Sequence, residues 1–190
     1  SYNNYNDIFS ALTISRSLPK GKGTVIVKHA NPCGVSTKND HLESYKSALS
    51  CDPISAFGGI VSCNFKITKN LALELNKLFL EVIIANGFES SAIKILKAKK
   101  NLRLIDGTNY KSRELFKFVS FNQNIMIQSE DLNLFSTKNF KIVSKRKPTS
   151  KQLKDLIFAF NVCRYVKSNA IVLASNETTV GIGSGQPSRL

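Results

Sequence analysis

The chain has 190 residues, of which 42% are hydrophobic and 21% charged, a composition typical of a globular protein and unlike that of a disordered one. Its apolar runs are shorter than the roughly 18 to 20 residues that a membrane helix requires, and its polar first residues lack the pattern of a signal peptide. We therefore expect no membrane association and a cytoplasmic location. The four cysteines and two histidines are not at zinc-binding spacing, so reduced thiols and no metal site are predicted.

The net charge of +14 is typical of proteins that bind nucleic acid. However, only six of the 27 basic residues are arginine, on which sequence-reading proteins depend for bidentate contacts. The lysines are scattered, and no aromatic residues are interleaved with them as in RNA-binding modules. We therefore expect no nucleic-acid partner, and a positive charge that attracts small phosphate-bearing ligands.

Apolar runs alternate with helical patterns up to residue 105. Helices are predicted where apolar residues recur at helical spacing, at 7–18 with Asp7 as its cap, 40–50, 68–79 and 89–98. Strands are predicted where β-branched residues follow one another without polar alternation, at 24–28, 56–63, 81–85 and 102–105. This alternation predicts an α/β layer architecture with a mainly parallel sheet.

The pattern changes after residue 105, because the stretch 106–148 contains no long helical pattern. Short β-like pieces are predicted within it, at 116–120, 125–128 and 140–143. A boundary-like segment near 145–150 separates this stretch from a long predicted helix at about 150–167. Two further strands are predicted after that helix, at 170–174 and 179–182.

The segment Val25–Gly34 brings a basic pair, Lys28 and His29, to the end of a buried strand. On a regular strand the two side chains would face opposite ways, so both serve one site only if the strand ends or bulges there. Pro32 and Gly34 are predicted to end the strand and turn the chain. Histidine suits proton transfer near neutral pH, and lysine stabilises a developing oxyanion. From chemistry alone, a histidine satisfied by backbone beside a solvated lysine is an equally good interpretation.

Three further positions hold residues that suit contact with a ligand. Phe57 and Gly58 lie in a turn that enters a strand, where glycine permits close approach by a ligand. Glu81 adjoins an otherwise apolar strand, and glutamate is rarely buried unless it is paired. Asn169 follows the long predicted helix, and its amide both donates and accepts hydrogen bonds. Each position also has an ordinary structural explanation, as a turn, a strand start or a helix end.

Residues 181–189 form a glycine-rich loop that offers backbone amides and one guanidinium to an anion, without Walker or dinucleotide-binding spacing. Together, in their order along the chain, these segments resemble the AICAR transformylase domain of the bifunctional purine biosynthesis family, which also contains IMP cyclohydrolase. The resemblance extends through nearly all of the chain, including Ser1-Tyr2-Asn3-Asn4, Lys147-Pro148-Thr149 and Asp155-Leu156-Ile157-Phe158-Ala159.

The resemblance implies a role for each motif residue. His29 would be the proton acceptor, Lys28 the stabiliser of the transition state, and Asn169 the residue that orients the reacting groups. Contacts to the AICAR nucleotide would come from Asn4, Phe57, Gly58, Glu81 and Asn169. Arg189 and Leu190 would lie at the folate.

The resemblance also implies a reaction and an assembly. A formyl group would pass from 10-formyltetrahydrofolate, as co-substrate, to the 5-amino group of AICAR, giving FAICAR in de novo IMP synthesis. The fold would be a three-layer α/β/α arrangement like that of cytidine deaminase, with a mainly parallel or mixed sheet, in a homodimer with active sites at the subunit interface. The 190 residues would form roughly the first half of the transformylase domain, without the cyclohydrolase domain that converts FAICAR to IMP. The chain alone is therefore expected to turn over poorly or not at all.

A hypothesis from another class is a non-catalytic basic α/β module that binds RNA or another polyanion. Its affinity should fall steeply with salt concentration, because phosphate contacts release counterions. The transformylase hypothesis predicts instead that AICAR binding weakens when His29 or Asn169 is replaced.

Overall fold

The computed structural model describes residues 1–111, 116–131, 135–136, 138 and 140–188. The helices within these ranges are α1 (Tyr2–Ser17), α2 (His41–Cys51), α3 (Lys69–Leu75), α4 (Ser90–Leu96) and α5 (Ser150–Cys163). The strands are β1 (Thr24–Lys28), β2 (Asn31–Ser36), β3 (Gly59–Cys63), β4 (Leu80–Ala85), β5 (Arg103–Asp106), β6 (Phe116–Phe121), β7 (Asn124–Ser129), β8 (Ile171–Ser175) and β9 (Thr178–Gly183). Each helix in the described part of the chain is too short or too polar to cross a membrane.

Seven strands form one sheet in the order β5-β4-β3-β1-β2-β9-β8, and β6 and β7 pair separately as a hairpin. Strands β3, β4 and β5 run parallel, whereas β1, β2, β9 and β8 join through antiparallel pairings. The predicted three-layer α/β/α fold is confirmed. Of the two sheet types predicted, mainly parallel or mixed, the structure has the mixed one. The two predicted β-like pieces at 116–120 and 125–128 are confirmed as β6 and β7.

Both faces of the sheet are covered by helices. Ile26 of β1 belongs to a buried cluster with Tyr45 of α2 and residues of α3 and α4, whereas Val25 and Val27 belong to a second cluster with α1 and α5. Because a strand buried on both faces needs apolar side chains at every position, β1 has a continuous apolar run in the sequence. Removing a side chain of this size from water contributes about 1.5 to 3 kcal/mol.

Helix α1 begins earlier than predicted. Its N-cap is Ser1, whose hydroxyl accepts from the backbone N–H of Asn4 at 3.3 Å. Asp7 is not the cap and lies inside the helix, where its carboxylate accepts from the backbone N–H of Ala30 at 2.7 Å. The capping prediction was wrong because the aspartate side chain serves a tertiary hydrogen bond instead of a local one.

Strand β2 was not predicted, because Pro32 and Gly34 indicate a chain break by composition. The structure places both residues inside the strand, with Pro32 opposite Val27 and Gly34 opposite Ile26. The register shifts between those two pairs, so Cys33 is the extra residue of a β-bulge. A bulge tolerates proline because one ladder hydrogen bond is already missing there. The prediction that these residues end the strand and turn the chain was therefore wrong.

The later part of the chain follows the predictions with two differences. Helix α5 begins at Ser150 with a capping box formed by Thr149 and Gln152, at the predicted boundary, but ends at Cys163 instead of residue 167. The predicted strand at 140–143 is absent, since these described residues have irregular structure.

Strands β2 and β9 are joined by a short ladder. Within the two strands the backbone pair in register is Ser36 with Thr178, and just past it the Thr37 N–H donates to the Glu177 carbonyl oxygen at 3.1 Å. Beyond it, the Thr179 hydroxyl donates to the carbonyl oxygen of Val35 at 3.2 Å and accepts from the Val35 N–H at 2.9 Å. Side-chain hydrogen bonds therefore replace backbone pairing along much of this contact.

Candidate active site

One end of the large sheet gathers the candidate residues. Strand β1 ends there at Lys28, and the neighbouring strands β3 and β4 begin there at Gly59 and Leu80. On the other side of β1, β2 begins there at Asn31 and β9 ends there at Gly183. Segments far apart in the sequence therefore meet at one edge.

The connection between β1 and β2 is a two-residue turn formed by His29 and Ala30. Their φ angles are 50° and 59°, and Lys28 pairs with Asn31 at the base of the turn. Positive φ at both central positions is typical of a type I′ turn, for which Asn-Gly is the preferred sequence. Holding a non-glycine residue in this conformation costs about 1 to 3 kcal/mol, so surrounding contacts must stabilise the turn. Strand β1 ends at Lys28, directly before this turn. This is the condition under which Lys28 and His29 can both serve one site.

Helix α1 supplies those contacts. The Asp7 carboxylate accepts from the Ala30 N–H at 2.7 Å, and the Ser10 hydroxyl donates to the Ala30 carbonyl oxygen at 2.8 Å. Asp7 and Ser10 are three residues apart and lie on one face of the helix. The helix thereby fixes the turn that presents His29.

Replacing Asp7 with alanine is expected to lower the free energy of unfolding by about 1 to 3 kcal/mol, because the partly buried Ala30 N–H loses a charged acceptor. Asp7→Asn keeps an acceptor oxygen at the same position and should cost less. Urea denaturation followed by circular dichroism measures both changes. Equal losses in the two variants would contradict a role for this hydrogen bond.

Lys28 is held across the sheet and is not simply a solvated side chain. Its Nζ donates to the carbonyl oxygen of Phe57 at 2.8 Å. Gly58, at φ 68°, leaves the space for this approach, since a Cβ there would lie 2.9 Å from the Lys28 Nζ and 3.4 Å from the Phe79 ring. The Gly58 N–H in turn donates to the Phe79 carbonyl oxygen at 2.8 Å. The ammonium group is therefore placed over the start of β3.

The two histidines of the chain differ sharply. The His41 ring stacks on Phe65 at 3.8 Å between centroids, and its Nε2 lies 2.9 Å from the Gly21 carbonyl oxygen. The His29 side chain is exposed, and its ring makes no hydrogen bond to any residue that the structure describes. His41 is therefore the satisfied structural histidine, whereas the His29 ring is available to a ligand.

Glu81 occupies an irregular position at the start of β4. Gly59 pairs with Leu80 and Ile60 with Val82, so Glu81 is the extra residue of a bulge in a parallel ladder. A bulge turns a side chain away from the regular alternation of a strand. The side chain is half-buried and, among the described residues, has no hydrogen-bond or ion-pair partner. Its carboxylate is thus free to accept hydrogen bonds from a ligand.

Hydrogen bonds join residues 167–169 to residues 184–186 of the loop that follows β9, and these two segments form the Asn169 corner. The Asn169 side-chain Nδ2 donates to the Gln186 carbonyl oxygen at 3.0 Å, and the Asn169 backbone carbonyl accepts from the Gln186 N–H at 3.1 Å. The Gly185 N–H donates to the Lys167 carbonyl oxygen at 2.7 Å. The two predicted folate residues, Arg189 and Leu190, lie outside the described residues.

Asn4 and Phe57 lie at the same end of the molecule. Asn4 is one helical turn before Asp7, on the face of α1 that contacts the β1–β2 turn. Phe57 is 61% exposed and its ring lies 5.2 Å from that of Phe79. The structure thus brings to one edge every predicted nucleotide-contact residue.

Asn31 and Asp7 are the residues of this edge that the sequence predictions missed. The Asn31 side chain bonds to the β1–β2 turn and also to the segments around Lys167 and Ser184. The available signals were an aspartate in the first predicted helix and an asparagine two residues after the basic pair. Neither residue type is diagnostic without a known partner.

The buried cysteines are unsuited to nucleophilic catalysis. Burial raises the pKa of both the Cys33 and the Cys63 thiol to about 12, so both stay protonated near neutral pH. All four cysteines are free, as predicted. Over the described ranges, histidine, cysteine and carboxylate side chains form no group that could hold a metal ion.

Two cavities of about 610 and 570 Å³ lie elsewhere. The larger lies between residues 140–148, α5 and β8, and the other is lined by lysines near the start of α5. Neither contains the residues gathered at the end of β1. The candidate site is therefore identified from its side-chain chemistry.

The model of the AICARFT/IMPCHase bienzyme family matches residues 1–190. The chain belongs to this bienzyme family. Its relatives include the bifunctional purine biosynthesis protein PurH of Buchnera aphidicola subsp. Schizaphis graminum, 46% identical over 192 residues, and that of Parvibaculum lavamentivorans, 43% identical over 194. PurH of Bacillus cereus strain AH187 is 42% identical over 191 residues. Each alignment covers the whole of this chain but only 36% or 37% of the relative, so the chain spans little more than a third of those bienzymes.

Proposed function

We propose that this chain carries part of a site that transfers a formyl group from 10-formyltetrahydrofolate to the 5-amino group of AICAR. The product would be FAICAR, which the whole bienzyme would cyclise to IMP. In this proposal the 190 residues are roughly the first half of the transformylase domain, and the segment near 145–150 is a boundary within that half. The protein acts in the cytoplasm. No metal takes part.

The observation that carries the proposal is the convergence of the motif residues at one sheet end. Lys28, Gly58, Glu81 and Asn169 come from four separate segments, and His29 follows Lys28 in the β1–β2 turn with its side chain exposed. A histidine without a structural partner, next to a positioned ammonium group, suits acyl transfer. Membership of the bienzyme family supports AICAR and 10-formyltetrahydrofolate as the substrates.

In the proposed reaction, the nitrogen of the AICAR 5-amino group attacks the formyl carbon. This nitrogen is a weak nucleophile because its lone pair is conjugated with the imidazole ring, so the neutral His29 ring accepts its proton as the new C–N bond forms. The carbonyl oxygen becomes an oxyanion. When the tetrahedral intermediate collapses, the bond from carbon to N10 of the folate breaks, and the histidine proton passes to that nitrogen.

Lys28 stabilises the oxyanion in this scheme. An ammonium group has three donors, and Lys28 uses one of them on the Phe57 carbonyl oxygen at 2.8 Å. That bond holds the group in place before the ligand arrives, so little reorganisation is needed as charge develops. Removing a single oxyanion donor of this kind from an enzyme costs about 10²-fold or more in rate.

Nucleotide recognition is assigned to Glu81 and Asn169. The half-buried Glu81 carboxylate suits hydroxyl groups such as those of a ribose, and Gly58 allows the backbone to approach the ligand closely. The net positive charge of the chain attracts the phosphate group of the nucleotide.

AICAR binding by the whole protein is expected to weaken about 10-fold or more in Glu81→Gln and in Asn169→Ala, because the first change removes the negative charge and one acceptor oxygen and the second removes the side-chain amide. Isothermal titration calorimetry measures the dissociation constants. The exposed helical residue Asn70 provides a matched control, and Asn70→Ala should bind AICAR as the parent does. Unchanged binding in both site variants would overturn the site assignment.

A homodimer belongs to the same proposal. Its support is the β6–β7 hairpin, on one face of which four apolar side chains are each more than half exposed: Phe116, Phe118, Ile125 and Ile127. Contiguous exposed apolar surface of this kind marks protein–protein contacts.

RNA binding is the competing hypothesis for this chain, and a steep loss of RNA affinity with increasing salt concentration would support it.

A further inference from the structure

The candidate site is divided by the short ladder between β2 and β9. His29, Lys28, Gly58 and Glu81 stand on the β1–β5 side of that ladder, whereas Asn169 and the loop after β9 stand on the other side. The backbone pairing between the two strands, Ser36 with Thr178 and the adjoining hydrogen bond from the Thr37 N–H to the Glu177 carbonyl oxygen, lies at the end of β2 remote from the site. At the site end, side-chain hydrogen bonds therefore join the two parts of the site in place of backbone pairing.

Asn31 makes the connection at the site end. Its Oδ1 accepts from the Lys167 N–H at 3.1 Å and from the Ser184 hydroxyl at 2.9 Å. Its Nδ2 donates to the carbonyl oxygen of His29 at 3.1 Å. One half-buried side chain thus joins the turn that presents His29 to both segments that form the Asn169 corner.

We propose that Asn31 is a positioning residue, which holds Asn169 and residues 184–186 in place against the Lys28–His29 turn. The inference rests on the proposed function, because it assigns a role within the same site. Asn31 acts through Asn169 and does not itself touch the reacting atoms.

The chemistry of asparagine fits this role better than that of its closest replacements. An amide side chain accepts through its oxygen and donates through its nitrogen, and Asn31 uses both atoms. Aspartate keeps the acceptor for Lys167 and Ser184 but loses the donor, and it places a negative charge beside the His29 carbonyl oxygen. Alanine loses all three hydrogen bonds.

Hydrogen exchange in the whole protein tests the connection independently of the reaction. In Asn31→Ala, amide exchange at residues 167–169 and 184–186 should become about 5- to 30-fold faster, whereas exchange in α2 and α3 should not change. Asn31→Asp should give a smaller increase. Unchanged exchange at both segments in Asn31→Ala would overturn the proposal, whatever the protein catalyses.

A double-mutant cycle tests the functional part. Asn31→Ala should lower kcat/KM for AICAR formylation about 10-fold in the parent protein, but less than about 2-fold when Asn169→Ala is already present. Asn70→Ala, the control, should have no effect in either background. Additive losses from Asn31 and Asn169, despite faster exchange, would overturn the positioning role.

The remaining outcomes are also decisive. If Asn31→Ala does not fold, the same cycle with Asn31→Asp gives the test, and coupling to Asn169 is again the expected result. If the parent protein does not formylate AICAR, the proposed function fails. The hydrogen-exchange result then decides alone whether Asn31 holds the two segments together.

Discussion

His29→Asn is expected to lower kcat for AICAR formylation by about 10²-fold or more in the whole protein, while leaving the free energy of unfolding unchanged or slightly higher. The loss follows from removing the group that accepts the amine proton. The stability is expected to hold because the His29 ring has no hydrogen bond to the described residues and its φ is 50°, a conformation that asparagine adopts more readily than histidine.

Steady-state kinetics and urea denaturation measure the two effects. His41 provides the matched control, because its ring is stacked on Phe65 and bonded to Gly21. His41→Asn should lose stability without a loss of kcat in the folded protein. Imidazole added to His29→Ala should restore part of the rate, since the turn is open to solvent. Full activity in His29→Asn would refute the assignment of the proton acceptor.

Gly34→Ala is expected to destabilise the fold by about 3 kcal/mol or more. A Cβ at Gly34 would overlap the carbonyl oxygen of Ala48 in α2, and backbone on both sides leaves no flexible atom to move aside. The strand β2 would have to move away from α2, which packs closely on it. Because β2 begins at Asn31, this shift would also disturb the candidate site.

Thermal and urea unfolding measure this loss. Gly181→Ala is the matched control, because Gly181 also lies in a strand of the same sheet and a Cβ there would meet only the Leu173 side chain at 3.7 Å, an ordinary contact. It should change the free energy of unfolding by no more than about 0.5 kcal/mol. Similar losses in the two variants would mean that close packing of Gly34 on α2 is not the cause.

Local sequence patterns correctly predicted the helices and strands whose buried residues follow a regular apolar pattern. The apolar run of β1 and the helical spacing of apolar residues in α5 both led to correct elements, because each depends on neighbouring residues. Strand β2 was missed since Pro32 and Gly34 are normally breakers, and both are tolerated here for tertiary reasons. Pro32 sits at a bulge, and Gly34 lets α2 approach.

The candidate residues could be found in the sequence, but their arrangement could not. Lys28 and Asn169 come to one edge only through the order of the strands, which depends on pairings between segments more than 100 positions apart. The availability of the His29 ring and the satisfied state of His41 are likewise tertiary properties. Asp7 and Asn31 gain their roles from partners that no local pattern specifies.

Because the ladder between β2 and β9 is short, the parts of this domain that open cooperatively differ in their free energy of opening. Strands with full ladders open only with the core, whereas a contact that relies on a few hydroxyl and amide bonds opens at a lower free energy. We therefore expect fluctuations of the native state to separate Asn169 from Lys28 more readily than they separate strands joined by full ladders. A ligand that contacts both sides would bind the closed arrangement preferentially and would stabilise the domain by mass action.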